Sequence, residues 1–511
     1  MRISNLVFVV ISLLHLALVS TSLGNDRGDK KETAKTPNII FMMADDQSWN
    51  GTSVQMHPEM ENSKHPLAST PNLERLAAQS MRFSAAYAPA SICSPTRMSL
   101  MNGQSPAANH WTKAAPSLKA QHNPKLMPPR SVRSIDESYF TIGEALQSAG
   151  YATAYFGKWH IKGGGPENHG FDVSDGDIGN EYAYEFNDPN PCDIFGMCDR
   201  ATEFMKSNKE AGKPFFVQLS WHALHAPENA LRETKLKYQD KGRNPRQVGL
   251  LALAENLDTG VGRIIKAVDD LGLADNTYVI YTSDNGGGEG PDSVLAGGKG
   301  SVWEGGIRVP LIVRGPGVTA DSWCHETVVG YDFYKTFCEM AQVKDIPEEA
   351  ASKLEGGSIW ELLKNNGKGT VKRPHEHVVF HFPHYQSDDG PHSSIIHGDF
   401  KLIRFYDPER SALFNLKEDI KEENDLAASN PGKTADLEKR LADYLVAVGG
   451  ELPVANPDYD PSKPRGELRG KRFGKQGSRN KGKNRGEGKG KNRGDVKGKG
   501  KDKSKGKEQK K

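Results

Sequence analysis

Between Thr36 and Asn285, short apolar runs alternate with longer stretches in which apolar residues recur every three or four positions. Residues 38–43, 152–156, 215–221 and 277–282 are dense in apolar side chains with little polar alternation, the pattern of strands buried on both faces. Residues 71–79 open at a proline and read as a helix. So do residues 141–148, which Gly150 stops, and residues 201–209. The longest helical pattern spans residues 248–271 and carries Leu250, Ala254, Leu257, Val261, Ile264 and Val268 at helical spacing. Strands in alternation with helices predict an α/β fold, a large mostly parallel sheet sandwiched by helices.

The texture changes near Lys372. Residues 377–382, 393–397, 401–405 and 412–415 read as short strands separated by Gly, Asp and Pro, and residues 433–446 as a helix. This predicts a smaller C-terminal α+β domain with an antiparallel sheet. The expected divisions are a first domain over 36–371 and a second over 372–460. No internal repeat is visible.

Charge separates the end of the chain from its body. The 511 residues carry a formal net charge of +2, yet residues 461–511 hold 21 Lys or Arg against 5 Asp or Glu, which leaves −14 on residues 1–460. A Gly/Lys-rich tail with almost no apolar residue builds no core, so disorder is expected for 461–511. Such a tail either stays solvated or contacts anionic polymers. At the other end, a basic start, an apolar run over residues 6–19 and small residues near 20–24 read as a signal peptide, residues 1–24, followed by a polar linker, 25–35. The run is shorter than the ~20 residues a membrane helix needs. The chain is therefore expected to be exported, to a periplasm or the medium, and a bacterial origin is expected.

Export puts the five cysteines in an oxidising compartment. They are Cys93, Cys192, Cys198, Cys324 and Cys338. The simplest pairing is Cys192 with Cys198 and Cys324 with Cys338, which leaves Cys93 single. No Cys-x-x-Cys with matching histidines suggests zinc.

Candidate chemistry gathers just beyond the strands. Asp45 and Asp46 follow the first, and Asp284 and Asn285 follow the run 277–282. In open α/β sheets, ligand groups collect beyond the carboxyl ends of strands. Three carboxylates and an amide at one place select a hard cation, Ca²⁺ or Mg²⁺. Lys158 and His160 follow the run 152–156, His225 follows 215–221 within His222-Ala223-Leu224-His225-Ala226-Pro227, and Lys299 lies in a Gly-rich loop. A metal, cations for equatorial oxygens and an imidazole to move protons suit the transfer of a sulfuryl or phosphoryl group. Taken singly, each of these residues also fits a strand end, a turn or a surface.

Together the pieces resemble the type I, formylglycine-dependent sulfatases of the alkaline-phosphatase-like superfamily. The resemblance is carried by Cys93-Ser94-Pro95-Thr96-Arg97, followed by Leu100 and Gly103, in which Thr96 and Asn102 depart from the commonest form. Further matches are Asp45-Asp46, Gly157-Lys158-Trp159-His160, His169-Gly170-Phe171-Asp172, Ser283-Asp284-Asn285-Gly286-Gly287, the stretch from Gly298-Lys299-Gly300 to Trp303-Glu304-Gly305-Gly306-Ile307-Arg308-Val309-Pro310, and Gly398-Asp399-Phe400-Lys401-Leu402-Ile403. They span residues 36–448.

The resemblance implies that a formylglycine-generating enzyme oxidises Cys93 to formylglycine. One hydroxyl of its hydrate would attack sulfur, and loss of a proton from the other would expel sulfate. It further implies that Asp45, Asp46, Asp284 and Asn285, with modified Cys93, bind one cation, Ca²⁺ in preference to Mg²⁺. Arg97 and Lys158 would hold the hydrate, His160 would take a proton during release, and His225 and Lys299 would contact the sulfate and leaving oxygen. His381 and His384 are softer candidates for substrate contact. Asn50-Gly51-Thr52 is a glycosylation sequon read as incidental. The expected substrate is a sulfated carbohydrate, with no specific nucleic-acid recognition. Two other readings are phosphoester or phosphonate monoester hydrolysis on the same fold, and a non-catalytic polyanion-binding protein.

Overall fold

The computed structural model describes residues 36–114, 123–184, 186–288, 292–386 and 389–463. The expected signal peptide, the linker and nearly all of the basic tail lie outside the described residues. The sheets and helices below belong to one unit, Met1–Arg469. No helix among the described residues is long and apolar enough to cross a membrane.

The elements that position the site are, in chain order, β1 (Asn38–Ala44), α1 (Pro71–Ala78), β2 (Met81–Phe83), α2 (Cys93–Asn102), α3 (Ile142–Ser148), β3 (Ala152–Gly157), β4 (Val173–Ser174), α4 (Ile194–Glu210), β5 (Phe215–Ser220), α5 (Pro245–Asp270), β6 (Thr277–Ser283), β7 (Ile312–Arg314), β8 (Ser322–Cys324) and α6 (Asp332–Met340). The eight strands form one sheet in the order β8-β2-β7-β6-β1-β5-β3-β4. Strands β6, β1, β5, β3 and β4 run parallel, and β7 is antiparallel to both its neighbours.

Every residue of β1 is buried, and its side chains alternate between two cores. Ile40, Met42 and Ala44 join the core built with α1, α4 and α5. Ile39, Phe41 and Met43 join the one built with α3, α6 and Met98 of α2. Helices on both faces explain why the sequence shows apolar runs instead of alternation.

The second sheet is antiparallel, in the order β9 (Val378–Phe382), β10 (His392–His397), β11 (Phe400–Tyr406), β12 (Glu409–Asn415). One face, with Val379, Ile395, Leu402 and Leu413, packs on Leu437, Leu441 and Tyr444 of α7 (Pro431–Ala447). The other, with Phe380, Ile403, Phe405 and Phe414, packs on Val302, Trp303 and Ile307. That face therefore grips the loop that carries Lys299.

Two expectations change. The helix expected over 201–209 begins at Ile194. Its start is hidden in the sequence because the cap comes from an earlier residue: Asn190 Oδ1 accepts from Phe195 N and Gly196 N at 2.8 and 3.1 Å. The disulfides Cys192–Cys198 and Cys324–Cys338 are absent, and all five cysteines are buried free thiols. Cys192 donates to Ala183 O and Asn229 O, whereas Cys198 donates to Ile194 O and Gly260 O. Nearness in sequence did not bring those sulfurs together. Cys324 and Cys338 are core residues of one apolar cluster.

Candidate active site

Four parallel strands end beside one another, and each leads into a candidate residue. Asp45 and Asp46 leave β1, Lys158 leaves β3, the loop to His225 leaves β5, and Asp284 and Asn285 leave β6. Backbone bonds carry the pairing past the strands: Asp45 N donates to Ala223 O (2.8 Å), Lys158 N to Ser220 O (2.8 Å) and Asp284 N to Ala44 O (3.1 Å). Gly157 precedes Lys158 at φ 91°, where an added Cβ would lie 2.3 Å from Ser220 O. Only glycine permits that turn.

Cys93 is the first residue of α2, a helix buried along its whole length. Thr96 braces this start from inside, its hydroxyl lying 3.1 Å from Ala90 N and 3.2 Å from Ala90 O. Asn102 closes the other end, accepting from Gln104 N (3.2 Å) and donating to Asn109 Oδ1 (2.6 Å). The two positions that depart from the commonest motif thus keep hydrogen-bonding work.

Cys93 Sγ lies 3.3 Å from Asp45 Oδ1, 3.9 Å from Asp46 Oδ1 and 3.4 Å from Lys299 Nζ. Asp45, Asp46, Cys93 and Asp284 each offer a ligand atom within 4.8 Å of the others. Each carboxylate also has one side-chain cation: Lys158 on Asp45, Lys299 on Asp46 (2.6 Å) and Arg97 on Asp284 (2.7 Å).

Burial would raise Asp45, but Lys158, Lys299 and Arg97 together hold it well below the usual carboxylate range. Burial and the Asp45 charge push Asp284 up in spite of Arg97. Burial, Asp284 and Asp45 raise the Cys93 thiol far above its ordinary value. Both upward shifts come from burial together with nearby negative charge, a conflict that a bound cation relieves.

The donor set fits such a cation. Asn285 Nδ2 is engaged by Asp46 Oδ1 and Gly286 O, both at 2.8 Å, while its buried Oδ1 has no hydrogen-bond partner. An orphaned amide oxygen beside three carboxylates is what a hard divalent cation uses.

The histidines differ sharply. Burial, then Lys158 and Arg97, pushes His160 down to about 2, and its buried Nδ1 has no partner. His225 is partly exposed, with Nδ1 2.6 Å from Ala226 O. His222 is fully buried against Tyr182 and pushed down to about 3 by burial first. His381 is spent on Ser393 Oγ (2.6 Å) and Glu451 O (3.0 Å). His384 bonds Thr112 Oγ1 at 2.8 Å. The sequon residue Asn50 is buried and bonded to Asp292 O (2.9 Å).

The sequence did not reveal what holds Lys299. Its loop is tied to the first sheet by Lys299 N to Gly287 O (2.9 Å) and to the start of α2 by Gly300 N to Ser91 O (2.8 Å). The second sheet grips it through Val302 N to His392 Nε2 (3.0 Å). At its end, Glu304 N bonds Glu422 Oε2 (2.7 Å), and Lys401 Nζ bridges Glu304 and Glu422 at 2.8 Å each. Lys401 lay within a quoted motif, whereas Glu422 carried no local signal.

Comparison with known proteins comes to the same place. A family model described as Sulfatase matches residues 37–343, and one described as N-sulphoglucosamine sulphohydrolase, C-terminal, matches residues 298–449. The chain is 30% identical to a protein named Sulfatase from Formosa agariphila, over 84% of this chain and 91% of that one. It is 27% identical to bovine arylsulfatase A, over 73% and 75% of the two chains. It is 28% identical to the N-acetylgalactosamine-6-sulfatase of Canis lupus familiaris, over 60% and 62%. Among solved structures, one in complex with its substrate D-glucosamine-2-N,6-O-disulfate superposes with a TM-score of 0.63 at 20% identity, covering 84% of this chain and all of that one. Another, Ps i-CgsB with a neocarrahexaose, gives 0.65 at 23%, covering 80% and 93%.

Proposed function

Because this chain belongs to the sulfatase family, an enzyme family that hydrolyses sulfate esters, we propose that it releases sulfate from sulfated carbohydrates through a nucleophile made from Cys93. The single observation that carries this reading is the placement of Cys93 Sγ between Asp45 Oδ1 and Lys299 Nζ, at 3.3 and 3.4 Å. As an unmodified thiol held far above its ordinary pKa, Cys93 is a poor nucleophile near neutrality. Oxidised to formylglycine and hydrated, it supplies one hydroxyl to attack sulfur and a second whose deprotonation lets sulfate leave.

Asp45, Asp46, Asp284 and Asn285 would hold the cation with that residue, and their all-oxygen character favours Ca²⁺. When bound, the cation supplies positive charge to the oxygens gathered there. Lys158 and Arg97 fix the acids: Lys158 Nζ bonds Asp45 Oδ2, and Arg97 donates to Asp284 Oδ2 and to Lys158 O. Lys299 adds charge 3.4 Å from Cys93 Sγ. His160 is assigned the uptake of the second hydroxyl's proton on its place beside Lys158 and its partner-free Nδ1, while burial beside Lys158 and Arg97 makes it a weak base that gives the proton up readily. His225 donates Nδ1–H to Ala226 O, which leaves Nε2 to face the leaving oxygen and to protonate it when the ring is the doubly protonated imidazolium.

The carbohydrate assignment is supported by the names of the relatives, which include an N-acetylgalactosamine-6-sulfatase, and by neighbours solved with a sulfated glucosamine and a neocarrahexaose. Export, maturation by a formylglycine-generating enzyme, and contact of the basic tail with anionic polymers belong to the same reading.

Mass spectrometry of the Cys93 peptide from active enzyme tests it, with an aldehyde in place of the thiol as the expected result. An intact thiol in fully active protein overturns the mechanism. Sulfate release from defined sulfated sugars, measured beside aryl phosphate hydrolysis, tests the substrate, and faster phosphate turnover sinks the assignment.

A further inference from the structure

Two neighbouring cations, Arg133 on the wall of the cleft that leads toward Cys93 and Lys113 behind it, have no ion-pair partner among the described residues. The cleft, about 440 Å³, is lined by buried Ser94 beside Cys93, by His160, by the cations Arg133 and Lys162, and by the acids Asp177 and Glu181, which gather at the Lys162 end. Lys162 has a counter-charge in Asp177. Arg133 and the neighbouring Lys113 do not: their side chains make no ion pair or hydrogen bond among the described residues.

Their proximity is built in. The segments carrying them are tied by Val132 N to His110 O (2.8 Å), and both Thr112 N and Lys113 N bond Ser131 Oγ, at 3.1 and 3.3 Å. Trp111 Nε1 fixes Lys113 O at 3.0 Å. Burial and then the Arg133 charge pull the Lys113 pKa down, as expected of paired cations without a counter-ion. The titratable group nearest Lys113 on the segment after β9, His384, which bonds Thr112 Oγ1, is pushed down to about 3 by burial first and then by Lys113, so it brings no negative charge. In the same cleft, His160 Nδ1 and Asn180 Oδ1 are buried without partners.

With the sulfated ring seated beside Cys93 as in the sulfatase reading, we propose that Lys113 and Arg133 bind a second anionic group, a sulfate or carboxylate, on the same saccharide. The proposal rests on the sulfatase reading above and adds a selectivity for doubly charged sugars. An anion between the two cations removes their repulsion, and the guanidinium fork grips a sulfate or carboxylate through two parallel hydrogen bonds.

The test is equilibrium binding by calorimetry to the full chain carrying Cys93→Ala, which separates recognition from turnover. The probes are glucosamine 6-sulfate, glucosamine 2-N,6-O-disulfate, the galacto-configured equivalents, and a monosulfated disaccharide containing a uronate. The expected result is at least tenfold tighter binding of a doubly charged sugar over its monosulfated match. That ratio should collapse toward one in Lys113→Ala/Arg133→Ala and return in part with Arg133→Lys. Collapse for the disulfate alone identifies sulfate as the second group, and collapse for the uronate alone identifies carboxylate. No preference in the parent chain, or a preference that survives the double variant, overturns the proposal. In the mature enzyme, with position 93 unsubstituted and converted to formylglycine, the ratio of kcat/KM for the same pairs should follow, through KM. If no sulfate ester is hydrolysed at all, the sulfatase reading fails, and the binding ratio still judges this one.

Discussion

Arg97 and Asp284 meet through one carboxylate oxygen only: Nε and one terminal nitrogen of the guanidinium reach Oδ2 at 3.1 and 2.7 Å. Oδ1 is thereby left to face the backbone N of Asp46 at 3.2 Å, on the side where the other acids gather. Both residues are essentially buried, so the pair orients a ligand oxygen at the cost of two desolvated charges.

Removing one partner should therefore be severe. Arg97→Ala leaves Asp284 buried without its counter-ion and is expected to destabilise the fold by roughly 3–5 kcal/mol. Urea unfolding of the variant and the parent would measure it. A loss below 1 kcal/mol would show that the pair is not needed to hold the acid in place.

Chelation is expected to lower the melting temperature and abolish turnover, with Ca²⁺ restoring both. At a free ion concentration a hundredfold above Kd, the stabilisation is about 2.7 kcal/mol. A melting temperature indifferent to chelator would remove the cation from the account.

Lys299→Ala should separate binding from rate. Asp46 loses its 2.6 Å partner, so the cluster gains net negative charge and its affinity for Ca²⁺ rises. Charge next to the nucleophile is lost at the same time, and kcat should fall by roughly 10²–10³. A calcium titration and steady-state kinetics on one preparation would show both; weaker calcium binding contradicts the assignment.

His381 predicts an acid limit to stability. Burial, the largest cause, pushes its folded pKa down from 6.5 to about 4. Below pH 6.5 the unfolded chain takes up a proton that the folded chain refuses. Its contribution is therefore complete above pH 6.5 and is lost as pH falls toward 4, by up to about 3 kcal/mol. His381→Gln should flatten that slope in urea titrations between pH 7 and 4, and an unchanged slope would assign the loss to other groups.

Alkylation of the denatured chain without reductant should modify Cys192, Cys198, Cys324 and Cys338. Protection of any pair would restore the bridge that the structure lacks.

The sequence exposed this architecture unevenly. The strands β1, β3, β5 and β6 were legible to within a residue or two because burial on both faces leaves an unbroken apolar run. The acids were legible because each stands directly after such a run. The cysteines misled: spacing says how far apart two residues are along the chain, but not that Cys192 and Cys198 send their sulfurs to different carbonyls. Cys93 is thus marked out by its place at the head of α2, not by being left over from pairing. Glu422 was invisible, since its partners Glu304 and Lys401 come from distant segments and only the tertiary fold assembles them.

Cys93 is 2% exposed, and every residue of α2 is buried with it. On the proposed conversion of Cys93 to formylglycine, the modifying enzyme would have to reach this side chain before α2 is buried. The proposed edit and the collapse of the chain around α2 would therefore be in a race. A mutation that merely speeds folding can lower the yield of active enzyme without touching the active site, and one that slows folding can raise it.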